Sequence, residues 1–371
     1  MFREPGPEWE RCERHLAEAG MPLPATQKKA WVQGTGEVRW LLAALDTSDT
    51  CRGALGLQVR PSRAMPGHKS LRADKVGLVG DTDVVAFLID QLHQLSLDER
   101  GLFRLDVALS CADAERRAVL RSLLQAAELE PSPTPEAYRH TSLVDLGPDE
   151  DELMANLHKT ARRHIRATSR GPVVLRSLDD LKWAPAMAAL LEETYLRTGT
   201  PAPNRPLEQL LALAHEDPRA VHIVGLFDEQ DDSMLSFACG HREGPRVRYA
   251  EAASTRRDDV KLPLGYGPMW ELFLWAKREG AEHFDLGGIT SGSHEDDDPL
   301  GGISDFKRYF RGTITEVGEE WCLELLPARA RWVRFAHRVA TWARESVRDP
   351  LRQLDSIGTV RDAVVHALDT P

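Results

Sequence analysis

Three short apolar runs, HIVGLF (222–227), MLSFACGH (234–241) and RVRYAEAA (246–253), precede the segment YGPMWELFLWAKR (266–278) and the run EHFDL (282–286). The short runs have the length and the β-branched or aromatic content of strands, and the longer segment has its apolar residues at helical spacing. The stretch therefore predicts three strands, a helix and a fourth strand. Gly287 and Gly288 follow the last strand, where glycine allows a ligand to approach the backbone closely.

The amino-terminal side of the chain predicts a similar unit. Segments 37–45 and 53–60 predict a hairpin, 83–95 a helix, 102–109 a strand and 114–129 a second helix. Strands that alternate with helices in both halves place the chain in the α/β (α+β) class.

Three prolines between 131 and 135 mark the predicted domain boundary, because such a run cannot continue a helix. We expect a first domain over 1–135, a second domain over 136–326 and a helical tail over 327–371. Further predicted elements of the second domain are a strand at 141–146, a helix at 149–169 and a final hairpin at 313–326.

Composition and charge limit the possible functions. The 371 residues include 58 acidic and 47 basic side chains, for a net charge of −11, so any contact with RNA requires a local basic patch. The five cysteines are widely spaced without a C-x-x-C pair, which argues against a disulfide framework or a zinc knuckle. The start of the chain is charged, and its apolar runs are far shorter than the ~20 residues that span a bilayer. We therefore expect a cytoplasmic protein of enzyme size.

Three motifs carry a resemblance to a known family. TSLVDL (141–146) precedes a helix that begins with acidic residues and continues as KTARRHIR (159–166); FDLGGI (284–289) and GISDFKRYF (302–310) follow. In this order and spacing they resemble the FemABX family of aminoacyl-tRNA-dependent peptidyltransferases, which is grouped with the GNAT-like acyltransferases. The resemblance covers about residues 27–324.

That resemblance implies two tandem GNAT-like domains, in which an acyl carrier binds in a splayed sheet, and a last helix that packs back on the first domain. Many members carry a coiled-coil arm in the second domain. Here the corresponding stretch, 198–206, is short and contains proline, so the chain resembles the compact type without the arm.

The function implied is transfer of an aminoacyl group from aminoacyl-tRNA to an amine of a small peptide or a peptidoglycan precursor, which forms an amide. We expect aminoacyl-tRNA as co-substrate, no other cofactor, no metal, and a monomer. Two alternatives stay open: an acyl-CoA-dependent GNAT N-acyltransferase, and a non-catalytic module that binds tRNA or a peptide.

Two residues are the catalytic candidates. By resemblance, Lys307 lies at the acceptor and near the acyl carbonyl, where a cation can stabilise the charge that develops on the carbonyl oxygen. The alternative is a surface lysine after a turn. Asp106 is the candidate general base for the attacking amine; the alternative is an ion pair with Arg104 or Arg116.

A second group of residues is predicted to contact substrate. Asp285 could orient the amine or close a turn. Gly265 and Gly267 stand at a helix start, where such a loop can hold a phosphate or simply begin the helix. By resemblance, Arg205 lies at a diphosphate and Phe306 shapes the pocket. The full set is Arg205, Tyr249, Gly265, Gly267, Asp285, Gly287, Gly288 and Phe306.

The predicted helix 149–169 carries the densest basic cluster. Its residues Lys159, Arg162, Arg163 and Arg166 could bind tRNA phosphates, or form a solvated face whose charges complement the helix dipole. The acidic loop 291–298 predicts a flap that selects a cationic acceptor. The tail at 331–342 is basic and amphipathic, and could contact a membrane surface transiently or pack on the first domain.

Overall fold

The computed structural model describes residues 1–136, 138–197, 205–257, 259–290 and 301–326, which form two mixed sheets with helices packed on them. The helices are α1 (Pro7–Glu18), α2 (Lys29–Thr35), α3 (Thr82–Asp98), α4 (Ala114–Ala126), α5 (Glu150–Asn156), α6 (Lys159–Arg170), α7 (Ala184–Arg197), α8 (Leu207–Glu216), α9 (Tyr266–Arg278) and α10 (Gly301–Arg308). The strands are β1 (Arg39–Leu45), β2 (Cys51–Pro61), β3 (Lys69–Val76), β4 (Leu102–Ser110), β5 (Glu130–Pro131), β6 (His140–Asp145), β7 (Val173–Ser177), β8 (Val221–Asp228), β9 (Met234–Glu243), β10 (Arg246–Ser254), β11 (His283–Gly288), β12 (Thr313–Glu316) and β13 (Gly318–Glu324).

The first sheet has the strand order β1-β2-β3-β4-β13-β5. Strands β1, β2 and β3 are antiparallel neighbours, and β3 pairs parallel with β4 after a crossover through α3. Leu71, Leu88, Leu105 and Leu120 meet in the core between this sheet and helices α3 and α4. The elements predicted for this half are confirmed, and β3 is an addition that sequence reasoning missed.

The second sheet, in the order β12-β6-β11-β10-β9-β8-β7, repeats the same plan. Strands β8, β9 and β10 are antiparallel, and α9 connects β10 to the parallel strand β11. Met269, Leu272 and Phe273 on one face of α9 pack with Phe284 of β11. The predicted order of three strands, a helix and a fourth strand is confirmed.

The parallel strands β10 and β11 stay paired for only three residues, 246–248 with 283–285. Strand β10 then has an irregularity between Tyr249 and Glu251, while β11 continues to Gly288 beside β6. A bulge bends the strand that carries it. The facing edges of β10 and β11 are therefore open beyond Arg248, and this opening is where the resemblance expects an acyl carrier.

The predicted hairpin at 313–326 is wrong, because its two strands belong to different sheets. β12 pairs with β6 in the second sheet, whereas β13 lies between β4 and β5 in the first. Val317, between the two strands, donates its N–H to Arg139 and accepts from the N–H of Cys111. The sequence places β13 in the second domain, but β13 pairs with β4 of the first sheet.

The predicted helix at 149–169 is also wrong, because the chain breaks it at Leu157 and His158. Both residues have extended backbone, and His158 Nδ1 accepts from the N–H of Thr160 to begin α6. The N–H of His158 donates to the carbonyl of Tyr309, and the two rings stack at 4.9 Å. A contact distant in sequence thus sets where α6 begins.

Candidate functional site

Lys307 lies on α10 with its side chain turned into the protein, where the residue is only 7% exposed. Its Nζ donates to the carbonyl oxygen of Gly288, 2.5 Å away. Burial lowers the pKa of Lys307 to about 8, and the nearby charge of Asp285 opposes that shift. The alternative of a surface lysine is thereby excluded, and a buried ammonium remains available to a reacting group.

Gly287 brings the backbone of β11 to this ammonium. Its φ of +78° lies in the left-handed region that glycine adopts freely. A methyl group at Gly287 would lie 3.6 Å from Lys307 Nζ and 3.9 Å from the carbonyl oxygen of Tyr249. The predicted residues Lys307, Gly287, Gly288 and Tyr249 therefore converge where β10 and β11 part.

Asp285 supports this turn rather than standing free in the site. One carboxylate oxygen accepts from the Thr141 hydroxyl and, at 2.8 Å, from the N–H of Gly287. The other lies 3.9 Å from the Arg246 guanidinium. Asp285 thus fixes the Gly287 turn, and its charge favours the protonated form of Lys307.

Aromatic side chains form the wall next to Lys307. Phe306 meets Tyr266 and Phe310 edge to face, with ring centroids 5.0 and 5.1 Å apart. A methyl group at Gly265 would lie 3.4 Å from the Phe306 ring, so Gly265 borders this wall. Gly265 at the start of α9 and Phe306, which precedes Lys307 on α10, are therefore in contact, and their binding of substrate stays a prediction.

Gly267 has a different role from the phosphate contact considered for it. A Cβ at this position would stand 2.5 Å from Thr168 Cγ2 on α6. Glycine is required there because the two helices approach closely, and Gly267 is itself buried. This corrects the pairing of Gly265 and Gly267 as one phosphate loop.

Asp106 lies within the first sheet, where its carboxylate accepts from Arg104 Nε at 2.7 Å. Its neighbours across the sheet are Arg72 on β3 and Cys322 on β13. Burial raises the pKa of Asp106, and Arg104 opposes that shift. The ion pair with Arg104 is the arrangement that the structure shows, and it does not bring Asp106 to Lys307.

Arg205 is ion-paired with Glu251, with Nε and Oε2 2.7 Å apart. Glu251 lies on β10 beyond the bulge, on the part of the strand that has left β11. Burial raises the pKa of Glu251, and Arg205 opposes that effect. Arg205, which precedes α8, is therefore tied by its side chain to the same open strand that carries Tyr249, and its charge is already paired with a carboxylate.

The predicted basic cluster divides into two parts. Arg162 Nη1 donates to the carbonyls of Ala155 and Leu157, at 2.5 and 2.9 Å, and so closes the end of α5. Lys159, Arg163 and Arg166 are exposed, and none of them has an ion pair within the described residues. Three of the four predicted residues are thus available to an external anion, and Arg162 is a helix cap.

Sequence reasoning missed the charged residues around Asp285. These are Lys75, Glu243, Arg246 and Arg248, with Thr141 and Tyr138 beside them. No motif marks them, because they come from both halves of the chain and meet only in the folded protein.

Comparison with protein-family models and with curated proteins found no match. Solved structures do match. FemX superposes with a TM-score of 0.72 at 12% identity, over 90% of this chain and 99% of FemX. The C-terminal domain of a putative lysylphosphatidylglycerol synthetase from Agrobacterium fabrum gives 0.57 at 14% identity, over 88% and 94% of the two chains. L-PGS from Bacillus licheniformis gives 0.57 at 12% identity, over 91% and 98%.

The chain has the FemX fold. This confirms the tandem GNAT-like architecture that the resemblance predicts, with the same order of three strands, a helix and a parallel strand in each half. Only nine residues separate α7 from α8, too few for a coiled-coil arm, so this is the compact form. In this FemX fold, the Lys307 site stands at the opened β10–β11 edge of the second half.

Some predicted features fall outside the described residues: the acidic loop 291–298 and the tail 327–371, with its proposed contacts to a membrane or the first domain. None of the helices in the described part of the chain combines the length and apolar composition that crossing a bilayer requires.

Proposed function

We propose that this chain is a FemABX-type aminoacyltransferase, which moves an aminoacyl group from aminoacyl-tRNA to an amine of a peptide or peptidoglycan-precursor-like acceptor. The observation that carries the proposal is the buried Lys307 ammonium, held against the Gly288 carbonyl where β10 and β11 part. The FemX fold and the unpaired cations on α6 support a tRNA ester as the donor.

In the proposed reaction, the acceptor nitrogen attacks the ester carbonyl. The new C–N bond forms as the C–O bond to the tRNA ribose breaks, so an amide and a free ribose hydroxyl result. Negative charge develops on the carbonyl oxygen in between, and a buried cation stabilises that charge more than an exposed one does. Lys307 supplies that cation, and the Gly288 carbonyl beside the Gly287 turn fixes its position.

The amine must also lose a proton. Asp285 is engaged by Thr141 and by the N–H of Gly287, and Asp106 is ion-paired in the other sheet. Neither carboxylate is placed as a free base at Lys307. We therefore assign the amine proton to the departing ribose oxygen, which needs one, so that the substrates carry out this transfer themselves.

A second candidate is an acyl-CoA-dependent N-acyltransferase. The observation in its favour is that Gly265, at the first turn of α9, has no side-chain cap and borders Phe306. Uncapped N–H groups at a helix start can bind phosphate. Gly267 weakens this candidate, because the packing of α9 on α6 requires it.

The two donors can be separated directly. The protein is incubated with a peptide amine and either aminoacyl-tRNA or acetyl-CoA, and amide formation is followed by mass spectrometry, with ribonuclease treatment of the tRNA reaction. We expect amide product with aminoacyl-tRNA as donor but not with acetyl-CoA. Ribonuclease treatment is expected to abolish that product, and so is the Lys307→Ala substitution. Lys182→Ala is the matched control, because Lys182 is an exposed lysine of the second half. Product from acetyl-CoA alone would favour the second candidate, and binding without turnover would indicate a binding module.

A further inference from the structure

A cluster of buried charge joins the two halves of the molecule next to Lys307. This interdomain cluster consists of Lys75, Glu243, Arg246, Arg248 and Asp285. Lys75 extends from β3 of the first sheet with a left-handed φ of 61°, and its Nζ donates to Glu243 on β9. Arg248 Nε donates to the same carboxylate oxygen at 2.9 Å.

Cations outnumber carboxylates in this cluster. With Lys307 it contains four cations and two carboxylates, Glu243 and Asp285. Two further carboxylates stand nearby, but each has its own arginine: Asp74 lies 2.7 Å from Arg72, and Glu251 lies 2.7 Å from Arg205. Burying charge without a partner is costly, so a surplus of buried cations favours a bound anion.

Several donors of the cluster have no acceptor in the described part of the chain. Arg246 has a side chain only 9% exposed, and its Nε is buried without a hydrogen-bond partner. Its Nη2 donates to Ser110 of the first half at 2.8 Å, which fixes the guanidinium across the interface. Within the described residues, Arg248 donates a hydrogen bond through Nε, to Glu243. Its two terminal nitrogens, Nη1 and Nη2, are therefore available to bind a ligand.

Arg248 is the most exposed member of the cluster. That side chain is 22% exposed, whereas Glu243 behind it is 2% exposed. Tyr138, which lies against Gly288, borders the same place: burial raises the pKa of its hydroxyl, and Asp285 adds to that rise while Arg248 opposes it. In the sheet, Arg248 is the register partner of Asp285, which holds the Gly287 turn at Lys307.

We propose that the interdomain cluster is an anion subsite for the acceptor, in which Arg248 and Arg246 bind a carboxylate or phosphate borne by the molecule whose amine reacts at Lys307. The planar arginine fork suits either group, because both offer two oxygens to paired N–H donors. Glu243 and Lys75 hold Arg248 in place and close the subsite toward the first half. This inference rests on the proposed function, since it defines the acceptor of that same site.

The test uses pairs of acceptors in which one member carries an anionic group and the other lacks it. Nα-acetyl-lysine is compared with its carboxamide, and O-phosphoethanolamine with ethanolamine, using the donor that the enzyme accepts. We expect the anionic member of one pair to have a kcat/KM about tenfold higher or more, in line with a hydrogen-bonded charge pair. The pair that shows the preference identifies carboxylate or phosphate as the group.

Arg248→Gln is expected to abolish this preference, and Arg248→Lys to restore only part of it, because lysine keeps the charge but not the fork. The ratio is taken within each variant, so loss of folded enzyme cancels. Arg219→Gln is the control, because Arg219 is an exposed arginine paired with Glu279 and is expected to keep the wild-type ratio.

A binding measurement makes the outcome independent of turnover. Calorimetry with Nα-acetyl-lysine, its carboxamide and inorganic phosphate is run on the wild type and Arg248→Gln. Equal affinity of the wild type for charged and neutral ligands, or equal kcat/KM in both acceptor pairs, overturns the subsite. Failure of transfer to every amine, together with selective anion binding lost in Arg248→Gln, contradicts the proposed function and supports the subsite.

Discussion

At the residue scale, the environment of Lys307 decides its chemistry more than the motif that contains it. The DFK motif identifies a lysine flanked by an aromatic residue, but without the family resemblance the sequence favours an exposed side chain after a turn. In the folded protein the ammonium is buried against the Gly288 carbonyl, and burial brings its pKa to about 8.

This pKa predicts the direction of a pH dependence. If the ammonium stabilises the oxyanion, kcat falls as pH rises through about 8, because the protonated form is then lost. Hydroxylamine, which is unprotonated at neutral pH, serves as nucleophile so that the acceptor does not titrate in the same range. Lys307→Arg keeps its charge and is expected to abolish the falling limb. A rate that rises through pH 8 would instead make Lys307 a base.

The Gly287 turn provides a second prediction at this scale. Gly287→Ala and Gly280→Ala both place a side chain at positive φ, +78° and +73°, which costs roughly 1–2 kcal/mol of stability in each case. Only the methyl group at Gly287 meets the site, 3.6 Å from Lys307 Nζ; at Gly280 nothing lies within 4 Å. We expect similar losses in thermal stability but a fall in kcat of about tenfold or more for Gly287→Ala alone. Equal kcat in the two variants would contradict the role of this turn.

At the element scale, the break between α5 and α6 changes the interpretation of the basic cluster. In one continuous helix the cations would stand at the carboxyl-terminal end, where the helix dipole favours them. In the structure Lys159 lies in the first turn of α6, where the dipole disfavours a cation. Dipole complementarity therefore does not account for this residue.

The four cations Lys159, Arg163, Arg166 and Arg170 follow one face of α6, at i, i+4, i+7 and i+11. We predict that the double variant Arg163→Ala/Arg166→Ala weakens tRNA binding and reduces the slope of log affinity against log salt by about 0.7–0.9 per lost phosphate contact. Arg162→Ala, which removes the cap on α5, is expected to lower thermal stability and leave that slope unchanged. Filter binding between low and moderate salt measures the slope in both variants, and thermal melting measures their stability. An unaltered slope in the double variant would show that α6 is not part of the RNA interface.

At the scale of the whole molecule, the two halves are not independent along the chain. Strand β13 completes the first sheet after the chain has passed through the second, and Trp321 on it packs in the first core. In the other direction, Ala25 and Trp31 from the first half pack in a core of the second half. Each half therefore depends on residues supplied from the far side of the predicted boundary near residue 135.

This exchange predicts the behaviour of a fragment. Residues 1–135 alone lack β13 and expose Trp31, so we expect no cooperative thermal unfolding by circular dichroism. Joining residue 136 to Val317 through a short glycine-serine linker is expected to restore a cooperative transition, because Ser132 and Glu320 are already hydrogen-bonded neighbours. Cooperative unfolding of 1–135 at the temperature of the full chain would show that β13 is dispensable.

The sequence by itself determined most of the strands and helices in each half, because strand and helix periodicity depend on local side-chain spacing. It also located Lys307, Phe306 and the Gly287–Gly288 turn, which lie within two short motifs. Only the tertiary structure decided that β13 crosses to the first sheet, that His158 begins a new helix against Tyr309, and that Asp106 is paired with Arg104 away from Lys307. It alone assembled Lys75, Glu243, Arg246 and Arg248 around Asp285, since burial and pairing of charge depend on neighbours that lie far apart along the chain.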